Sequence, residues 1–374
     1  MKYIDFVIFI SLFLIQNTSA LTLVEKKYDR LVGIQIFNFN IEEKNLDNFL
    51  DELKESGCNT IFVRVFQNNG DRYHFGKVSD CKSGVYYKNS LVCSPDDVLA
   101  KVVKIARKKN IKVYAWMATR TLSFLKEKYG LSKTFKNGAN SRKGYGPSMF
   151  NDNFIKDINR LFKDLALYDI DGILIQDDFL IKVDEDASRS ALHKFYVDYG
   201  ERISPASNIG QLTSDKWYNW KLEQMLYFIS ELIKNIKITN PAIKVAINVF
   251  YETPINPDAA LKWYAQSMDN LLKTGADYFA FMAYYKQIEE ELNVDFYNAL
   301  SLINNGLRSM TEKIKPHSRI IAKLQFRNFD ANRSTVNKGD INALCNILNK
   351  YGDLSVVMLP FEDIRDKSFF CGNY

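Results

Sequence analysis

The chain has 374 residues, of which 47% are hydrophobic and 25% charged, and 50 Lys and Arg against 44 Asp and Glu leave a net charge of +6. The hydrophobic share is ample for a large core, whereas the small charge excess is scattered without a run of like charges, so no nucleic-acid partner is expected. Only His74, His193 and His317 are present, with no close His or Cys spacing, which excludes a zinc motif and leaves no metal or cofactor expected.

The chain opens on Lys2, an apolar run from Phe6 to Ile15 and the small residues Thr18-Ser19-Ala20, the pattern of a secretory signal over residues 1–20. The run is too short for an uncleaved membrane anchor, which needs roughly twenty apolar residues. No cysteine follows it to carry a lipid, and no later segment is apolar enough to cross a membrane. The expected product is residues 21–374, exported to the periplasm or secreted, monomeric, and without a transmembrane segment.

From there, strand-like and helix-like segments alternate. Short β-rich apolar runs occur at Val32–Phe37, Thr60–Phe66, Lys112–Met117, Gly172–Gln176, Lys244–Phe250, Tyr278–Ala283, Arg319–Gln325 and Leu354–Leu359. Between the first two, Leu46, Phe49, Leu50 and Leu53 form a helical stripe that stops at Gly57. Ser94-Pro95-Asp96-Asp97 predicts a capped helix through Lys109, with Pro95 in its first turn. Further helices are predicted at Phe154–Leu167, Trp217–Ile236, Asp258–Lys273, Phe296–Lys313 and Ile341–Tyr351. Eight alternations predict an α/β protein, a single (β/α)8 barrel filling residues 21–374; the rival, an open doubly wound sheet, lacks a glycine-rich phosphate loop after the first strand.

Two long connections, Gln67–Val92 and Ala118–Ser148, follow the second and third strands and suit a wide groove at the C-terminal face. Cys81 and Cys93 bracket part of the first and are expected to form a disulfide in an exported protein, while Cys58, beside an apolar run, reads as a buried free thiol; Cys345 and Cys371 leave pairing open.

The chemistry-bearing residues gather at strand ends. Asp171 to Asp178 is an apolar strand running into two adjacent carboxylates, Asp177 and Asp178, at the catalytic end of a barrel strand. Crowded carboxylates raise the pKa of one, which suits a general acid; the competing reading is a pair that caps the next helix. Asp71 follows the second strand and Trp116 closes the third; Asn248, Tyr251 and Glu252 end the fifth, and Tyr284 and Tyr285 the sixth. Gln325 and Arg327 end the seventh, and Glu362 and Asp363 follow the eighth. Rings that cover a sugar face and polar groups that bind hydroxyls are what a carbohydrate site uses.

These residues resemble the C-terminal glycoside-hydrolase domain of the PgaB family, exported proteins that process poly-β-1,6-N-acetyl-D-glucosamine in bacterial biofilms. The family's strand motif, approximately DGILFHDDA, is similar to Asp171–Phe179, with Gln176 in place of His. Its YAWM strand resembles Tyr114–Met117, its WFAQ segment Trp263–Gln266, its DYTAVMAMP segment Asp277–Tyr285 and its LQARDW segment Leu324–Phe329. The matches run in order over most of residues 31–363; Asn328 replaces an acid, and Met358-Leu359 replace aromatic residues before Pro360.

The resemblance implies a barrel that hydrolyses a deacetylated or partly deacetylated β-1,6-linked N-acetylglucosamine polysaccharide, with Asp177 and Asp178 as catalytic candidates. Asp177 is favoured as the acid, with the other member of the pair, Asp71 or Glu252 as the second carboxylate, and Asp71, Trp116, Gln176, Asn248, Glu252, Tyr284, Gln325 and Arg327 are expected to bind substrate. The family's metal-dependent deacetylase domain is not expected here, since the histidines are too few to build its site. A non-catalytic carbohydrate-binding barrel that guides polymer export is the alternative.

Overall fold

The computed structural model describes residues 27–37, 45–71, 81–135, 143–203, 212–329 and 334–361. Eight parallel strands close into a barrel: β1 (Val32–Ile36), β2 (Thr60–Arg64), β5 (Lys112–Met117), β6 (Gly172–Ile175), β7 (Lys244–Val249), β8 (Tyr278–Ala283), β9 (Ile320–Gln325) and β10 (Ser355–Phe361). The last strand pairs with the first, Val32 opposite Val356 and Gly33 opposite Val357. The two remaining short strands, β3 (Phe66–Gln67) and β4 (Gly84–Val85), form an antiparallel ribbon in the connection after β2. The (β/α)8 barrel read from the sequence is the fold of the protein.

Apolar alternation explains the closure. Inward side chains from neighbouring strands fill the interior, with Phe62, Tyr114 and Tyr278 packing ring to ring at 4.9 and 6.1 Å. Gly172 makes room for them: a Cβ there would lie 2.1 Å from the Tyr114 ring and 2.6 Å from the Lys244 carbonyl oxygen.

At the N-terminal end of the barrel one device recurs. A short polar side chain just before or at the start of one strand accepts the backbone N–H that opens a neighbouring strand. Asn59 takes Val32 N at 2.9 Å, Asp171 takes Val113 N at 2.8 Å, Asp277 takes Val245 N at 2.9 Å and Ser355 takes Leu31 N at 2.8 Å.

Helices cover the outside with one apolar face each. Leu46–Glu55 buries Leu46, Phe49, Leu50 and Leu53, and Asp152–Ala166, capped by Asn151, buries Phe154, Ile158, Leu161, Phe162 and Leu165. Two expectations change. The helix expected from Ser94 begins at Val98, because Asp97 accepts Ala100 N and acts as the cap while Ser94 donates to the Tyr87 carbonyl. The helix expected over Asp258–Lys273 is two, Pro257–Tyr264 and Met268–Lys273, broken where Ala265 turns left-handed at φ 52° and Ser267 caps the second. The helix Arg189–Tyr199 escaped prediction because it buries only Ala191 and Phe195.

Cys81 and Cys93 are joined by a disulfide with Cα atoms 6.0 Å apart, and Cys58 is a free buried thiol whose pKa burial pushes up to about 12. Among the described residues no helix is long and apolar enough to cross a membrane.

Candidate active site

The C-terminal ends of the strands open on a cavity of about 500 Å³. Its polar wall includes Gln35 from β1, Arg64 from β2, Gln176 and Asp177 after β6, Asn248 from β7 and Lys323 from β9. Aromatic rings close the sides. Phe37 packs on Trp116 with centroids 4.6 Å apart, Phe66 meets Trp116 edge-on at 5.7 Å, and Phe250 stacks on Tyr264 at 3.9 Å.

The adjacent aspartates part company here. Asp178 is fully buried and points into the connection after β5, where its carboxylate accepts Thr119 N at 2.9 Å, Thr119 Oγ1 at 2.9 Å, Thr121 N at 2.8 Å and Thr121 Oγ1 at 2.7 Å. It anchors the rim and, unlike Asp177, is absent from the described cavity lining, which makes Asp177 the candidate acid of the expected pair. Asp177 lines the cavity, and its pKa lies above the usual carboxylate range because burial penalises the charge; Lys323 pulls it down and Asp178 pushes it up.

Lys323 sits in the barrel interior at 3% exposure, and its ammonium donates to Asn248 Oδ1 at 2.8 Å. Burial lowers its pKa to about 8 despite the attraction of Asp177. Asn248 in turn donates through Nδ2 to the Ile175 carbonyl at 2.8 Å, two residues before Asp177, and its own carbonyl receives Gln266 Nε2 at 3.1 Å. One amide therefore couples the buried lysine to the strand that carries the acid.

A buried ion pair fixes the connections. Arg120 and Glu185 form a doubly hydrogen-bonded buried pair at 2.9 and 3.0 Å, and Arg120 also donates to the Pro147 carbonyl. This pins the connections after β5 and β6 against each other, and with them Thr119, Thr121 and both aspartates.

Of the other residues expected to bind substrate, Trp116, Gln176, Asn248 and Tyr284 line the cavity. Four do not. Asp71 pairs with Arg64 and accepts Asn68 N at 2.7 Å, so it reaches the cavity only through the guanidinium it neutralises. Glu252 turns back to accept the Tyr264 hydroxyl at 3.0 Å. Gln325 donates to the Arg327 carbonyl at 3.1 Å, and Arg327 pairs through its backbone with Thr335. Glu362 and Asp363 lie outside the described residues. Arg64, Gln35 and Lys323 were not anticipated. The one signal available was a polar residue interrupting each otherwise apolar strand.

Residues 37–357 match the family described as hypothetical glycosyl hydrolase family 13. The chain is 24% identical over 331 residues to the poly-beta-1,6-N-acetyl-D-glucosamine N-deacetylase of Escherichia coli (strain K12), an alignment that covers 83% of this chain and 46% of that protein. It thus spans about half the length of the curated relatives it matches. Its fold is similar to the glycoside hydrolase domain of PgaB (BpsB) from Bordetella bronchiseptica, with a TM-score of 0.74, 18% identity, and coverage of 92% of this chain and 100% of that one. It is also similar to the endo-1,4-beta-mannanase of Rhizomucor miehei, with a TM-score of 0.55, 12% identity, and coverage of 90% and 87%. A closed barrel, an enclosed acid at its C-terminal mouth and a match over most of its length place this chain in hypothetical glycosyl hydrolase family 13, as a glycoside hydrolase.

Proposed function

We propose that the protein is an exported glycoside hydrolase that cleaves a β-1,6-linked, partly deacetylated N-acetylglucosamine polysaccharide, with Asp177 as the proton donor to the leaving oxygen. The observation that carries the reading is that Asp177 is the one carboxylate among the described cavity-lining residues, and burial favours its protonated form. The similarity to a protein named for this polymer supports the choice of substrate. Trp116 and Phe250 offer rings for sugar faces, while Gln35, Gln176 and Asn248 offer amides for hydroxyls. The N-terminal signal-like segment supports export, with residues 21–374 as the working chain.

A two-carboxylate scheme also needs a base or nucleophile, and no second carboxylate is found among the described lining residues. That observation favours the second reading, a carbohydrate-binding barrel that holds polymer during export without cutting it. Incubation of the purified chain with β-1,6-glucosamine polymers of graded acetylation, followed by product sizing, separates the two. Shortened products that vanish in Asp177→Asn support hydrolysis; binding without shortening supports the second reading.

A further inference from the structure

The helix Asp215–Thr239 carries one residue that its packing does not call for. Trp217, Lys221 and Met225 lie four residues apart on its buried face, and Lys221 is 0% exposed. A methionine or leucine would fill that stripe, whereas an ammonium taken out of water is costly unless polar groups receive it. Burial pulls the pKa of Lys221 down to about 7; Glu185, Asp184 and Asp186 pull it back up, and Arg120 lowers it further.

What receives the ammonium is backbone. It donates to the carbonyls of Lys182 at 2.8 Å, Glu185 at 3.0 Å and Val183 at 3.4 Å. An ammonium has three N–H bonds and no acceptor, so three carbonyls use it completely and leave nothing for a ligand. All three belong to the connection after β6, the one that begins with Asp177 and Asp178.

That connection is tied at three points. Asp178 fixes its start on Thr119 and Thr121. Arg120 fixes its middle through the Leu180 carbonyl and through the ion pair with Glu185. Lys221 closes the far end, and it does so on the same Glu185, whose carboxylate also accepts Lys182 N at 3.2 Å. Phe179, Leu180 and Ile181 are buried between these ties, directly after the aspartate pair. Without the ammonium, three carbonyls lose their donor and the turn that presents Glu185 to Arg120 is free to open.

We propose that Lys221 is a positioning residue, an inference that rests on Asp177 being the reacting acid. From a helix that contributes nothing to the described cavity lining, it holds the connection after β6 so that Asp177 stays enclosed at the mouth.

The test uses the full chain and two readouts. Lys221→Met keeps an apolar stem of similar length but offers the carbonyls no donor, and Lys221→Gln returns two N–H donors without the charge. The first readout is steady-state cleavage of the β-1,6 polymer well below the melting transition of each variant. In Lys221→Met, kcat should fall on the order of 10- to 10²-fold, the scale of a misplacement of about 1 Å. The fall should be smaller in Lys221→Gln, and KM should stay near the wild-type value because every ring of the lining stands outside this connection. The second readout is the Asp177 carboxyl, titrated by carbon NMR in the same proteins. Burial is what raises this carboxyl, so a loosened connection should lower its pKa towards the ordinary value. A lost cation acting by charge alone would raise it, and the direction therefore separates positioning from electrostatics. A folded Lys221→Met with wild-type kcat, or with an Asp177 carboxyl that stays or rises, overturns the inference. If the wild type cuts no polymer, the proton-donor reading fails by itself, and the carboxyl titration alone decides whether Lys221 positions Asp177. If Lys221→Met does not fold, the same criteria apply to Lys221→Gln.

Discussion

The carboxylate of Asp178 is held by the backbone and hydroxyl groups of Thr119 and Thr121, whereas its neighbour Asp177 opens on the cavity. Substituting each by Asn should therefore have different consequences. Asp177→Asn keeps size and packing but removes the proton, and hydrolysis should fall by about 10²–10⁴-fold with melting unchanged. Asp178→Asn presents an amide N–H₂ to donors that need an acceptor, which should cost about 1–3 kcal/mol of stability. Its remaining activity should show a raised KM and an alkaline limb moved to lower pH, because the charge that pushes Asp177 up is gone. Steady-state kinetics and melting on the same preparations distinguish the two, and equal behaviour of both variants would contradict the assignment.

The pH profile gives a second test. Asp177 is raised by burial, so its proton is retained above the ordinary carboxylate range and activity should be lost as pH rises through the shifted value. Lys323 lowers that value. Removing the cation in Lys323→Met should move the alkaline limb to higher pH, and a limb that stays or moves down would show that the two charges are not coupled.

Much of the barrel was legible because each strand is an apolar run ended by turn or polar residues, and β5 and β8 match their expected bounds. The position of the acid was legible too, since Asp177 ends the strand whose C-terminus faces the mouth. Which of two adjacent aspartates faces inward was not, because chain order does not say which side a residue takes once the strand has ended. Lys323 and Arg64 were hidden for a related reason. A charged residue in an apolar strand reads as outward, and only barrel closure shows that its side is the interior. The four expected residues that do not line the described cavity lie at strand ends as expected, but their local partners, such as Tyr264 for Glu252, come from helices and turns whose approach no local pattern encodes.

Acid stability should report on the pair that fixes the rim. Glu185 is buried, which alone would raise its pKa, but Arg120 and the donors Ser132 and Tyr145 hold it down to about 2. A depressed carboxyl contributes stability that is present above its ordinary value of 4.5 and is lost as pH falls towards about 2. The contribution is about 3 kcal/mol at one pKa unit per 1.4 kcal/mol. Denaturant midpoints from pH 5 to about 2 should fall more steeply in the wild type than in Glu185→Gln, which should start lower because Arg120 is left buried and unpaired.

The disulfide closes a loop with 12 residues of sequence separation, and a short closed loop of this size contributes about 2–3 kcal/mol in the chain-entropy account. The double variant Cys81→Ser/Cys93→Ser should melt lower. Its loss of activity should follow Trp116, because Phe66, which packs on that ring, belongs to the ribbon that the cross-link ties down. Non-reducing peptide mapping of the purified protein should recover the linked fragments, and free thiols at both positions would refute it.

The polar side chains that fasten strand openings, Asn59, Asp171, Asp277 and Ser355, sit at the opposite end of the barrel from Asp177 and Lys323. Anchorage and chemistry consequently occupy separate ends of one cylinder, and a change at one rim need not be transmitted to the other. Evolution can thus exchange the connections around the mouth, and with them the sugars accepted, while the foundation holds the strands in register. For the engineer the same separation marks a boundary. Loop grafts at the mouth should be tolerated wherever the Arg120–Glu185 tie is kept, and substitutions in the four fasteners should unfold the chain without ever touching a ligand.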